Sequence, residues 1–190
     1  MEIPNRVAQS DLVLYDPAVL APAGEVLEFD VAPFLHRGIV LRERDFREAM
    51  EAHDWAPYAG RDVAVFASTA ALVPTWAWML VAARLAGASS VTHGRAADAV
   101  REHVARAAAA EDWTRFAGKP VVVKGCGSAV PPAAYVAAMR GLEGVATKVM
   151  YGEPCSAVPV WRRPKAAAVA ATPGAAKPAG IRPAGPPRKR

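Results

Sequence analysis

One passage of the chain occurs twice. Asp54-Trp55-x-x-Tyr58-Ala59-Gly60-Arg61-x-Val63-x-Val65 returns as Asp112-Trp113-x-x-Phe116-Ala117-Gly118-Lys119-x-Val121-x-Val123. The displacement from Asp54 to Asp112 persists downstream, where Val91-Thr92-His93-Gly94 answers Val149-Met150-Tyr151-Gly152. Between them Val73-Pro74-x-x-Ala77-Trp78 answers Val130-Pro131-x-x-Ala134-Tyr135 with a slippage of a single position. Self-similarity at a fixed period constrains architecture more than any local propensity, because both copies must satisfy one structural grammar.

That grammar is legible. Val63–Ala67 and Val121–Gly125 are short runs of mostly β-branched residues bounded by Gly or Pro, hence strands. Each is followed by a turn, a proline suited to a first helical turn, and an apolar segment with helical spacing, roughly 74–86 and 132–142. Further strands are expected near 89–93 and 146–151. An amphipathic helix precedes each copy: 44–53, with Phe46, Ala49 and Met50 on one face, and 96–110, with Val100, Val104, Ala107 and Ala108. The unit is therefore αβαβ, in copies spanning roughly 44–94 and 96–152. The expected fold class is α/β, one mostly parallel sheet with helices on both faces, built by internal duplication. Ahead of the copies, Val26–Phe29 reads as a strand, Asp30–Arg37 as a short helix ended by Gly38, and Ile39–Leu41 as extended.

Charge divides the chain differently. Its formal net charge is +5, yet eight Lys or Arg and no acid lie between Arg162 and Arg190. Positions 1–161 carry 15 basic and 18 acidic side chains, a net of −3. A single α/β domain over 1–162 is expected, with a disordered basic tail over 163–190, rich in Pro and Ala and poor in large apolar groups. Contact with nucleic acid is conceivable only through that tail. The stretch 63–83 carries no formal charge and approaches the length of a membrane span, but its counterpart holds Lys124, Pro131-Pro132 and Arg140, so no membrane span is expected. The amino terminus lacks a charged-then-apolar leader, and two cysteines without one imply a reducing, cytoplasmic setting rather than a structural disulfide.

Ligands of parallel sheets gather beyond the carboxyl ends of the strands. The Asp-Trp motifs lie at the opposite edge and read as packing and turn elements, with Gly60 and Gly118 at left-handed positions. At the carboxyl edge the copies disagree: Ser68 becomes Cys126, Thr69 becomes Gly127, and His93 becomes Tyr151. Both cysteines, Cys126 and Cys155, follow strands of the second copy that a crossover sets side by side, so they are expected to converge. Cys126 sits between a strand and a helix amino terminus, just past Lys124, where outward N–H groups and a cation favour a thiolate. Such a thiol could accept sulfur as a persulfide, attack an electrophile, or join Cys155 and His93 around a soft metal. Buried inert cysteine remains the competing reading, and two cysteines without Cys-x-x-Cys or His-x-x-x-His spacing make a weak metal motif. The same turn, Gly125-x-Gly127-Ser128, admits a phosphate or nucleotide, although the third glycine of a dinucleotide fingerprint and the Gly-Lys-Ser/Thr of a P-loop are absent. His36 and His103 read as solvated, and His53 belongs to the amino edge. Trp76 and Trp78 read as core or partner surface. No catalytic triad or paired carboxylates stand out, so the pattern leans away from an enzyme and names no cofactor.

Several stretches resemble an uncharacterised family of small bacterial α/β proteins, a domain of unknown function. They are Asn5–Ser10, Arg44–Ala49, His53-Asp54-Trp55, Val73–Ala77, Val123–Gly127 and Gly152-Glu153-Pro154-Cys155-Ser156, within residues 3–162. The resemblance implies a genomic neighbourhood of iron–sulfur cluster assembly components, and hence iron–sulfur assembly proteins as partners. Its implication is an accessory role in sulfur or iron–sulfur handling through the thiol pair. The alternatives are a protein-interaction module docking through Trp76, Trp78 or the tail, and the phosphate binder. Duplicated halves that meet across a subunit interface would make a homo-oligomer.

Overall fold

A computed structural model describes residues 11–125, 130–154 and 156–164. In chain order the elements are β1 (Val13–Tyr15), β2 (Leu27–Asp30), α1 (Glu43–Ala52), β3 (Asp62–Phe66), α2 (Thr75–Arg84), β4 (Ser90–His93), α3 (Ala96–Ala110), β5 (Pro120–Val123), α4 (Pro132–Glu143), β6 (Lys148–Tyr151) and β7 (Val158–Arg162). Short 3₁₀ turns follow β1 and β2 and precede β3 and β5. No helix among the described residues is long and apolar enough to cross a membrane.

The strands form two sheets, not the single sheet expected. One has the order β2-β3-β4, all parallel, and the other β1-β5-β6-β7, parallel except for β7, which runs antiparallel to β6. The reason lies at the amino terminus. β1 passes over its neighbour in sequence to pair with β5, while β2 pairs with β3. Each αβαβ unit thus receives one extra strand from the segment ahead of α1, and the two sets stay separate.

α3 fills the space between the sheets. Its Ala99 meets Val26 and Ala64 of the three-stranded sheet, while Val104 joins Tyr15, Phe116 and Val121 over the four-stranded one. Small side chains along Ala96–Ala110 let both sheets approach the helix, and the expected stripe of Val100, Val104, Ala107 and Ala108 packs on the four-stranded side. Toward the three-stranded sheet α3 also presents polar groups. Glu102 Oε2 accepts from Thr92 Oγ1 at 2.8 Å, and His103 Nδ1 lies 2.9 Å from Asp62 Oδ2. His103 is therefore an inter-element partner rather than the solvated residue expected. The far face of that sheet carries Phe29, Val63 and Val65 against Phe46 and Met50 of α1 and Ala77 and Val81 of α2. Burying each such large side chain contributes on the order of 1.5–3 kcal/mol.

The repeated Asp-Trp motifs close equivalent turns. Trp55 Nε1 donates to Met50 O and Trp113 Nε1 to Ala108 O, each at 2.9 Å. Asp54 and Asp112 each accept a backbone N–H from the next residue but one, at 3.0 Å, holding the first turn of the segment that follows. Gly60 and Gly118 have φ of +69° and +73° and donate to Gly87 O and Val145 O. Left-handed backbone disfavours a side chain, which explains glycine at both places.

Two expectations for the segment ahead of α1 need correction. The helix expected over 30–37 is a single 3₁₀ turn, Ala32–Phe34, because the chain turns left-handed at Arg37 and Gly38 and returns to bridge His36 with Val40. The segment 39–41 is extended only in that bridge.

Candidate functional site

β5 and β6 are parallel neighbours with Val123 opposite Tyr151, so the chain leaves both strands at the same rim. The rim is stitched across three strands. Lys124 N–H donates to Tyr15 O at 2.8 Å, and Gly152 N–H donates to Val123 O at 3.0 Å. Asp16, just past β1, accepts Ala18 N–H at 3.0 Å and stands 3.5 Å from Lys124 Nζ, a half-exposed pair at the mouth of the edge.

Tyr151 closes the rim. Its hydroxyl donates to Gly125 O at 3.2 Å, and its ring meets Tyr135 edge-on at 5.8 Å. A Cβ on Gly125 would lie 2.7 Å from Tyr151 Cζ, well inside contact distance. Packing beneath a phenol ring therefore explains glycine at 125 without a phosphate. Cys126, Gly127, Ser128 and Cys155 lie outside the described residues. Of the residues expected to act here, Lys124 and Gly125 are together on the rim. Between β6 and β7 the chain reverses, with Ser156 N–H donating to Glu153 O at 2.9 Å. Tyr151 is not among the expected site residues. Its signal in the sequence is the exchange of His93 for Tyr151 at equivalent strand ends.

His93 sits elsewhere. It ends β4 in the three-stranded sheet, its ring edge-on to Trp78 at 4.7 Å. Separation of the sheets removes the premise that placed it beside the two cysteine-bearing segments. Among the described residues no group of three or more His, Cys, Asp or Glu is arranged to hold a metal ion.

The corresponding rim of the three-stranded sheet is saturated by its own side chains. Asp30 Oδ1 accepts from Ala32 N–H and Ser68 N–H, each at 2.9 Å. Burial pushes the Asp30 carboxyl up, but hydrogen bonds from Ser68 and Ala32 and the charge of Arg95 outweigh it, leaving the group below its ordinary value. Arg95 lies 3.9 Å over the Phe66 ring and 3.0 Å from Glu28 Oε2. At the α3 amino terminus, Arg95 N–H and Ala96 N–H are taken by Asp98 and Glu28 at 2.8 Å. Carboxylates of the protein thus occupy the place an incoming anion would use.

A family model described as a protein of unknown function (DUF2480) matches residues 1–163. The chain belongs to the DUF2480 family. No curated protein and no solved structure matches it. The DUF2480 match ends just beyond β7, so both rims and both sheets lie within it and the basic tail does not.

Proposed function

We propose that this DUF2480 chain is an accessory protein of sulfur or iron–sulfur handling, working through Cys126 and Cys155 at the carboxyl rim of the four-stranded sheet. The observation that carries the reading is the parallel adjacency of β5 and β6, which sends both cysteine-bearing segments out from one rim, directly after Gly125 and shortly after Gly152. Lys124 supplies a cation close before Cys126 in the chain, and a neighbouring ammonium favours a thiolate. In the step envisaged, the Cys126 thiolate attacks the terminal sulfur of a donor persulfide. The S–S bond of the donor breaks, its thiolate leaves, and Cys126 carries the sulfane sulfur with no net redox change. In this scheme Cys155 then receives that sulfur, or serves with Cys126 as two ligands of a cluster whose remaining ligands come from a partner.

We read the two halves as copies of one αβαβ unit. Support comes from the paired Trp, Asp and Gly contacts, each repeated at the displacement that separates Asp54 from Asp112. On this reading the first copy kept a self-satisfied rim with Ser68, and the second acquired Cys126 and the glycines around it.

The test uses full-length protein purified anaerobically. Persulfide sulfur or iron should accompany the wild-type chain and be lost in Cys126→Ser with an unchanged melting temperature. Alkylation of the native protein should modify Cys126 first. Two thiols that stay unmodified in the folded chain, with no bound sulfur or iron, would end this proposal.

A further inference from the structure

β6 and β4 occupy equivalent outer positions, but among the described residues only β6 is covered. β7 lies antiparallel on it, with Val158 opposite Tyr151 and Trp161 opposite Val149. β4 ends its sheet with no strand beyond it among the described residues. The hydrogen-bonding direction alternates along a strand. Because Gly94 N–H turns inward to Val65 O, Val91 and His93 turn their N–H and C=O groups outward.

The grooves flanking the two strands share five equivalent lining positions, with Thr75 and Met79 added beside β4 and Met150 and Val160 beside β6. Beside β6 the groove is lined by Val123, Tyr135, Met139, Val149 and Tyr151, and Val160 of β7 helps to close it to about 120 Å³. Beside β4 it is lined by Val65, Trp78, Ala82, Val91 and His93, and it holds about 270 Å³. Around it Met79 is 69% and Leu72 92% exposed. Open edges with flanking apolar side chains invite strand addition.

Charge indicates what fills the place. From Val63 to His93 the only formal charge is Arg84, whereas the equivalent span to Tyr151 carries Lys124, Arg140, Glu143 and Lys148. A surface this poor in charge, with Arg84 on α2 and Arg95 paired to Glu28 at its ends, meets its own copy with little like-charge repulsion. Two antiparallel copies of one strand are also related by a two-fold axis, so every molecule brings the strand its partner lacks. We infer that this protein forms a two-fold dimer in which β4 pairs antiparallel with β4 of a second copy. Met79 and Trp78 of each then cover the groove of the other, as β7 does within the chain. The sheet becomes continuous, with three strands from each molecule. Such a dimer does not depend on either thiol.

Sedimentation equilibrium of the full chain under reducing conditions, which exclude cysteine-linked dimers, should give twice the monomer mass at micromolar concentration. Met79→Glu, which forces a carboxylate into the apolar contact, should weaken association by about tenfold or more. Hydrogen exchange at the Val91 and His93 amides should be slow in concentrated protein and speed up on dilution. That measurement decides alone if Met79→Glu fails to fold. A monomer at about 100 μM overturns the inference. So does a dimer indifferent to Met79→Glu whose Val91 and His93 amides exchange freely.

Discussion

The two halves of the molecule share a set of turns and differ at their rims and outer strands. In the three-stranded half, Asp30, Ser68, Glu28 and Arg95 satisfy one another at the carboxyl rim, while the outer strand β4 is bare among the described residues. In the four-stranded half the outer strand is covered by β7, and the rim instead carries Lys124, Gly125 and Tyr151. Arg95 stacked on Phe66 corresponds by position to Glu153 and Lys124, and Ala67 with His93 corresponds to Gly125 with Tyr151. Side chains that fix the first rim in place occupy the positions a ligand would use. One rim is filled by its own carboxylates and Arg95, and the other is the one where the proposed function places its chemistry.

The comparison can be broken most severely at Gly141. It lies inside α4, where alanine ordinarily adds about 1 kcal/mol of stability. Here a Cβ would enter the Trp113 ring, while the equivalent position in α2 is Arg84, and Trp55 adds His53 to the Phe29 contact that answers Tyr15–Trp113. Gly141→Ala should therefore destabilise by about 1–3 kcal/mol in urea unfolding, the cost of overpacking. A gain in stability would mean the two tryptophans sit alike.

A smaller effect is expected at the rim. Gly125→Ala should cost about 1–2 kcal/mol by displacing the Tyr151 ring, and Tyr151→His in the same chain should recover most of that, recreating the Ala67–His93 pair. Strict additivity in a double-mutant cycle would show that the glycine serves another purpose.

The smallest change concerns Tyr15, whose counterpart in the other half is Phe29. The Tyr15 hydroxyl is buried without a partner among the described residues. Burial, with the charge of Glu111 adding to it, holds the phenol far above its ordinary ionisation range. It therefore contributes no titration near neutrality. Tyr15→Phe should leave stability unchanged or raise it by about 0.5–1 kcal/mol, since it removes a desolvated group that gains nothing in return. A loss of more than about 1 kcal/mol by the same unfolding measurement would reveal a hydrogen bond that Phe29 does without.

Local pattern carried the helices and the inner strands. α3 has the bounds expected from its spacing, and α1, α2 and α4 begin or end close to theirs. Periodic apolar positions separated by Gly and Pro depend on nearby residues alone. β1 and β7 escaped, because such short stretches with no regular alternation resemble loop until a neighbour pairs with them. A second signal was present for β1: Tyr15-Asp16-x-Ala18 and Phe29-Asp30-x-Ala32 are alike, and both Asp side chains cap the turn that follows.

For the site, the sequence by itself placed Lys124 and Gly125 on a rim, through the strand–helix–strand succession and the direction of parallel strands. It also marked the Asp-Trp motifs as packing, since bulk and left-handed turns are properties of single residues and their neighbours. Tertiary structure alone decided that β1 would pair with β5, dividing one expected sheet into two and taking His93 away from the second rim. The same pairing made α3 a shared partition, which gave Asp62 to His103. Contacts of this kind join residues far apart in the chain, where closure entropy and the volume of side chains from several elements choose among pairings that local propensity leaves equal.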